Sequence, residues 1–343
     1  MKVAVIGSTG YGGMELLRII QRHPELKITS FVSSSQAGQP LNRSFPQKPQ
    51  CTDVFMDLDV KHISNTADLI FFATPAGVSK EYAPLFLEQG KIVIDLSGDF
   101  RLNDPKQYEK WYQKRAADQR YLDMAAYGLS EWFHEEVKTA QLISNPGCYP
   151  TATLLALLPL LKEKCLDPSS VIIDAKSGVT GAGRAARQPH LFCEINENLR
   201  PYKVSNHQHI PEIEQVASHL TDTDVRVQFM PHLVPMNRGI LVTIYAQSLN
   251  KYTKEELLQL YRETYASEPF IRVLNESFPE TKAVQGSNFC DIGIHVDERT
   301  ERFVILAAID NLMKGAAGQA VQNANIRMGY PVTAGLDIAP LYP

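Results

Sequence analysis

The sequence predicts an α/β protein in two domains, and three observations predict it. The first part of the chain alternates near-continuous apolar runs with segments of helical apolar spacing, the pattern of a parallel sheet covered on both faces. The second part carries longer runs that read as paired strands, and a glycine-dense turn joins the first strand to the first helix. With 343 residues, 44% apolar and 21% charged, the chain is long enough for two ordinary domains.

The elements follow in order. KVAVIG (2–7) is a strand ending in glycine, and MELLRIIQRHP has helical spacing. LKITSFVSSS (26–35), ADLIFFATP (67–75) and KIVIDLS (91–97) supply further strands, with the helical VSKEYAPLFLEQG between the last two. SSVIIDAKSG, DVRVQFMPHLV, RGILVTIYAQ, NFCDIGIHVDE and RFVILAAIDN then predict a mixed, largely antiparallel sheet, the last two strands forming a hairpin around ERTE. The small residues of MKGAAGQAVQNANIRMGY suit a closely packed helix that returns to the first domain. The expected domains are 1–147 with 313–343, and 148–312.

Composition narrows the function. The 34 Lys+Arg against 38 Asp+Glu give a formal charge of −4, which provides no basic field for nucleic acid or anionic membrane and favours a small-molecule partner. Five cysteines, at 51, 148, 165, 193 and 290, form no C-x-x-C pair and no zinc spacing, so no metal is expected and a reducing cytoplasm suits them. No stretch reaches the ~20 apolar residues that span a bilayer.

GSTGYGG, with glycines at 7, 10, 12 and 13, stands after a strand and before a helix. Backbone N–H groups there approach a pyrophosphate closely and the helix end favours its charge, so Gly7, Ser8, Thr9, Gly10, Tyr11, Gly12 and Gly13 are candidate cofactor residues. The competing reading is a tight turn without a ligand. At the end of the second strand, FVSSSQAGQ offers Ser33, Ser34 and Ser35 and no carboxylate to hold a ribose 2′-OH, which leans to NADP. Arg43 reaches a 2′-phosphate only if the following loop folds back.

LISNPGCYPTATLLALLPLL reads as strand, Pro-Gly turn and a helix starting near Thr151. Cys148 then sits ahead of unsatisfied N–H donors, an environment that activates a thiol, and the N–H groups around 146–149 are candidates for an oxyanion site. The bland alternative is a small buried hydrophobe, the reading kept for Cys51, Cys165, Cys193 and Cys290. In NHQHIPEIEQVASHL, His207 and His209 precede a helix and Glu212 follows at the spacing that orients an imidazole, making the three candidates for acid/base work. H-x-H alone is poor evidence for zinc. Arg101 in LSGDFRL and Arg184 in SGVTGAGR are candidate forks for an anionic substrate, each equally readable as structural; Asn145, in the cysteine turn, joins them as a candidate substrate residue.

Taken together in chain order, GSTGYGG, DLSGDFRL, SNPGCYPT, SGVTGAGR, NHQHIPEI, PHLVPMNRGIL and DNLMKGAAGQAVQ resemble the N-acetyl-gamma-glutamyl-phosphate reductases of arginine biosynthesis over nearly the whole chain. The resemblance implies a Rossmann-type domain followed by a second domain like that of aspartate-semialdehyde dehydrogenase. It further implies NADPH as cofactor, Cys148 as nucleophile, His209 with His207 beside it as acid/base site, and Asn311 as a nicotinamide contact. The implied reaction is reversible reduction of N-acetyl-glutamyl 5-phosphate to the 5-semialdehyde and phosphate, by a cytoplasmic homo-oligomer, dimer or tetramer. SSSQ departs from the basic residue expected in that loop. Aspartate-semialdehyde dehydrogenase, an aminoadipyl-phosphate reductase and a non-enzymatic NADP-binding redox sensor are the alternatives.

Overall fold

The computed structural model describes residues 1–45 and 52–342, so Cys51 lies outside the described residues. The chain divides into two compact units, Met1–Pro146 with Ala316–Asp337, and Gly147–Gly315 with Ile338–Pro343. The tail from Ile338 therefore groups with the second unit, whereas the sequence sent it to the first. The reason is an anchor distant in sequence: the Leu341 N–H donates to the Gln285 carbonyl at 2.8 Å, and its side chain lies over Gly286, which has φ +76° and no Cβ to obstruct it.

The first unit runs β1 (Lys2–Ile6), α1 (Tyr11–Ile20), β2 (Lys27–Val32), α2 (Leu41–Ser44), α3 (Val60–Thr66), β3 (Leu69–Phe72), α4 (Ser79–Leu87), β4 (Ile92–Asp95), α5 (Pro105–Tyr112), α6 (Gln119–Met124), β5 (Ala126–Tyr127), α7 (His134–Thr139) and β6 (Leu142–Ser144). Its sheet has the order β2-β1-β3-β4-β6-β5, with every neighbouring pair parallel. Val3–Ile6 and Leu69–Phe72 are buried throughout, because helices cover both faces and leave no position for a polar alternation. The chain leaves β1 for β2 on one side and returns as β3 on the other, so the strand order reverses at β1, where open α/β sheets bind ligands beyond the carboxyl ends.

In the second unit come α8 (Cys148–Lys162), β7 (Val171–Ser177), α9 (Phe192–Ile195), β8 (Arg200–Pro201), α10 (His209–Thr221), β9 (Val227–Leu233), β10 (Ile240–Gln247), α11 (Lys254–Thr264), β11 (Ile271–Leu274), α12 (Thr281–Val284), β12 (Cys290–Asp297) and β13 (Arg302–Ile309). The sheet order is β11-β12-β13-β10-β7-β9-β8; β11/β12 and β7/β9 are parallel and the other neighbours antiparallel, the expected mixed sheet. The β12–β13 hairpin closes at Glu298–Glu301, with the Asp297 carboxylate accepting the Arg299 N–H and Glu301 taking up a left-handed φ of 55°.

Helix α8 is buried on every side from Tyr149 to Leu161, which makes it the central helix of this unit. Pro159 inside it lacks the N–H that would reach the Leu155 carbonyl. The Tyr265 hydroxyl supplies the missing donor at 2.5 Å, and the Tyr261 hydroxyl bonds the next carbonyl, that of Ala156. The proline in this buried helix is thus compensated by the tyrosine at the C-cap of α11. After β13 a π-turn at Met313–Ala317 leads into α13 (Gly318–Met328), which packs on α1 and α7 in the first unit. Its buried face carries Gln319, Asn323 and Asn325 as well as the expected small residues, each amide bonded to backbone carbonyls.

Candidate active site

Cys148 is the first residue of α8, not a residue ahead of a helix starting near Thr151, and Gly147 is the N-cap. The thiol is partly exposed, whereas its neighbours Gly147, Tyr149 and Pro150 are buried. It therefore stands at the positive end of a long buried helix, where negative charge on sulfur is stabilised. The expected backbone donors around it need correction. Pro146 and Pro150 have no N–H, and the Gly147 N–H donates to Glu212 Oε1 at 2.8 Å. Gly147 and the two prolines are thereby removed from the expected donors.

Glu212 is fully buried on the first turn of α10, where its Oε1 accepts that backbone N–H. The sequence assigned it to orienting an imidazole; in the structure one of its carboxylate oxygens holds the turn that carries Cys148. Because Glu212 and His209 share one turn of α10, this bond fixes α10 against the start of α8.

The two histidines share one buried aromatic setting. His209 opens α10 and His207 lies two residues earlier, with 7% and 3% exposure. The Tyr149 ring, next in sequence to Cys148, meets both edge-on at 5.6 and 5.9 Å, and the two imidazoles are 4.6 Å apart. Tyr202 and Phe229 complete the wall around His207 at 5.5 and 5.4 Å. Burial, then the Lys203 charge, pushes the His207 pKa down to about 3, so this ring is neutral. Burial also raises both tyrosines, Tyr202 to about 12, and the Tyr202 hydroxyl donates to that of Tyr149 at 3.3 Å.

In the first unit the glycine turn fits a dinucleotide. Gly7 has φ +89°, and a Cβ there would lie 2.4 Å from the Ala73 carbonyl oxygen; one on Gly13 would lie 2.2 Å from the Gly7 oxygen. Strand and helix can approach this closely only with glycine at both places. Gly12, by contrast, faces open space at the start of α1, whose first turn carries no acidic residue. Thr9 and Ser33 share a hydroxyl contact of 2.9 Å, and Ser33 reaches Ser35 at 3.4 Å, gathering hydroxyls where β1 and β2 end; Ser34 and Ser35 are exposed. Ser8 points inward, its hydroxyl bonded to the carbonyls of Val5 and Val32 and its N–H also to Val32. Arg43 is exposed and bonds Gln39 at 2.8 Å.

Several candidates serve the framework. Arg101 is buried and clamps the Asn145 and Leu96 carbonyls at 2.9 Å each, tying the ends of β6 and β4. The Asn145 amide donates to the Ala316 carbonyl and accepts from Asn323. Asn311 is buried, accepting the Gly239 N–H at 2.8 Å and donating to Thr180 at 3.0 Å, so both ends of its amide hold loops of the second unit. Arg184 is exposed. Cys165 and Cys290 are buried and Cys193 is exposed; among the described residues no cysteine is in a disulfide, and no group of three His, Cys, Asp or Glu side chains is placed to hold a metal ion. Nor is any described helix long and apolar enough to cross a membrane.

Sequence reasoning missed Gly315 and Asp310. A Cβ on Gly315 would lie 2.9 Å from the Cys148 Cβ, so the π-turn seats against the cysteine only because residue 315 is glycine. The small-residue run KGAAG was the available signal. Buried Asp310 accepts from Arg238, Gly286, Leu312 and Met313 and braces the same π-turn.

The parallel sheet with its glycine turn, followed by a mixed sheet with a cysteine at a helix start, defines a semialdehyde dehydrogenase. Residues 2–140 match the family model described as semialdehyde dehydrogenase, NAD binding domain, and residues 148–311 that described as semialdehyde dehydrogenase, dimerisation domain. In fold the chain is similar to the crystal structure of aspartate semialdehyde dehydrogenase with NADP from Candida albicans, at TM-score 0.71 and 18% identity, covering 97% of this chain and 98% of that one. More specifically, the chain belongs to the N-acetyl-gamma-glutamyl-phosphate reductase family. It is 50% identical over 345 residues to the protein of that name from Geobacillus sp. (strain WCH70), and 51% identical over 345 residues to that from Geobacillus kaustophilus (strain HTA426), each covering 100% of both chains.

Proposed function

We propose that this chain reduces N-acetyl-L-glutamyl 5-phosphate to N-acetyl-L-glutamate 5-semialdehyde and phosphate, reversibly, with Cys148 as nucleophile and His209 as acid/base. The reaction is the third step of arginine biosynthesis, in the cytoplasm. The observation that carries the chemistry is the partly exposed thiol at the first position of α8, with Tyr149 bridging to His209. His209 takes the thiol proton, and the thiolate attacks the acyl carbon; the S–C bond forms, the bond from that carbon to the phosphate oxygen breaks, and phosphate leaves. The N–H groups of Cys148 and Tyr149 are the backbone donors to the oxyanion at this step. The turn from Gly7 to Gly13, with the hydroxyls of Thr9, Ser33, Ser34 and Ser35, would hold NADPH, which would supply the hydride that reduces the thioester carbon. The thiohemiacetal then reforms a carbonyl as the C–S bond breaks, and His209 returns its proton to the sulfur. Arg184 is the one proposed fork that stays on the surface, and substrate anchoring is assigned to it ahead of Arg101, which holds two backbone carbonyls, and Asn145, whose amide meets the Ala316 carbonyl and Asn323. The match to a dimerisation domain supports a homo-oligomer, dimer or tetramer.

The test is NADP reduction with N-acetyl-glutamate, aspartate and aminoadipate semialdehydes, each with and without phosphate, and with NAD in parallel. Turnover with the N-acetylated substrate that requires phosphate is expected, and Cys148→Ser should nearly abolish it. Preference for another semialdehyde would reject the substrate, and full activity in Cys148→Ser would reject the mechanism.

A further inference from the structure

The geometry points to His207 as a positioning residue, whose ring holds the His209 backbone at the start of α10 and carries no proton through the reaction. This rests on the reading of His209 as acid/base. His207 Nδ1 accepts the His209 N–H at 3.2 Å. That N–H belongs to the first helical residue, one of the donors that no carbonyl within a helix satisfies, so the imidazole caps α10. A nitrogen that accepts a hydrogen bond carries no proton, so the ring is the Nε2–H tautomer. Protonating it would set one N–H against another.

Its surroundings oppose protonation from every side. Tyr149 reaches it from α8, Phe229 from β9, and Tyr202 and Lys203 from the preceding segment, with His209 on α10 itself. The charged group among these is the Lys203 ammonium, held by Gln208 Oε1 at 2.6 Å. With burial it depresses the ring's pKa to about 3. The approach to the ring is also strained: Lys203 and Ser205 take left-handed φ values of 46° and 54°, which non-glycine residues adopt only when their surroundings impose them. The chain bends at these two residues and then delivers the ring into the aromatic wall.

Two substitutions separate positioning from proton transfer. In His207→Asn the Oδ1 accepts from the N–H two residues on, as asparagine does in turns, without offering a titratable group; His207→Phe keeps the ring and loses the acceptor. Positioning predicts that the Asn variant keeps kcat within ~10-fold of wild type with the pH–rate limb of His209 in place, and that the Phe variant falls further while the limb persists. Loss of ~10²-fold or more in both, with the limb gone, would make His207 the proton carrier, and wild-type kcat in the Phe variant would leave it without a role. A measurement that needs no turnover accompanies these: long-range ¹⁵N–¹H NMR of histidine-labelled wild-type protein, with His207 assigned by its disappearance in either variant. A neutral Nε2–H tautomer unchanged from pH 8 to pH 5 supports the inference even if the proposed substrate proves wrong. Titration of that ring in this range would overturn it.

Discussion

Glu212→Ala tests how the reaction centre is built. The substitution removes the acceptor that the Gly147 N–H meets at 2.8 Å and leaves that buried donor unpaired, at a cost of about 1–3 kcal/mol, with the upper end favoured because the acceptor is a carboxylate. In a unit of this size each kcal/mol lowers Tm by ~2–4 °C, so a fall of ~2–12 °C in the transition of the second unit is expected. Activity should fall more steeply than stability, since Gly147 immediately precedes the nucleophile and a misplacement of ~1 Å costs on the order of 10²-fold. Glu212→Gln keeps a carbonyl oxygen in the same place and should restore most of both. Thermal melts beside steady-state kcat and KM decide the matter. If Gln is as damaging as Ala, the site uses the charge and not the acceptor, and the reasoning fails; an Ala variant with wild-type Tm and kcat would refute it equally.

Two further outcomes follow from buried polar groups. Tyr265→Phe should destabilise the second unit by about 1–3 kcal/mol, because it uncovers the Leu155 carbonyl that Pro159 already leaves without its helical donor; an unchanged urea midpoint would contradict this. The folded-state pKa of His207, about 3, lies below the ordinary value of 6.5, so the unfolded chain binds the extra proton first. Stability from this group is complete above pH 6.5 and is lost as pH falls from there toward 3, by up to ~1.4 kcal/mol per pH unit. Measured by urea unfolding, wild type should lose ground against His207→Asn between pH 7 and pH 5, and a constant difference between them would refute the assignment.

Elements were legible in the sequence where one local pattern decides them. The parallel strands, the glycine turn and the β12–β13 hairpin each follow from apolar runs bounded by glycine or by a charged turn. What escaped was set by distant partners. Nothing near Glu212 reveals that it accepts the Gly147 N–H, and nothing near Asn311 reveals that its amide is divided between Gly239 and Thr180. Arg101 read as a fork for an anion because it follows a strand end, yet two backbone carbonyls occupy the guanidinium. The tail from Ile338 was misplaced for the same reason, since the anchor at Gln285 is remote in sequence.

The turn SNPGCYP shows why a distant residue was needed at all. In a capping box the residue at the third helical position reaches back to the N-cap N–H. Here that position is Pro150 and the N-cap is Gly147, which offers no side chain. Both choices clear side chains from the turn beside Cys148, and both would leave the Gly147 N–H buried and unpaired. Glu212, arriving from the first turn of α10, supplies the missing half of the box. A local cap would have served α8 alone, whereas this one also brings the first turn of α10, and His209 with it, to the helix start that carries the thiol. The geometry of the proposed nucleophile and base is thereby coupled through one hydrogen bond, and so substitution at Glu212 should disturb catalysis more than the loss of a single cap disturbs a helix.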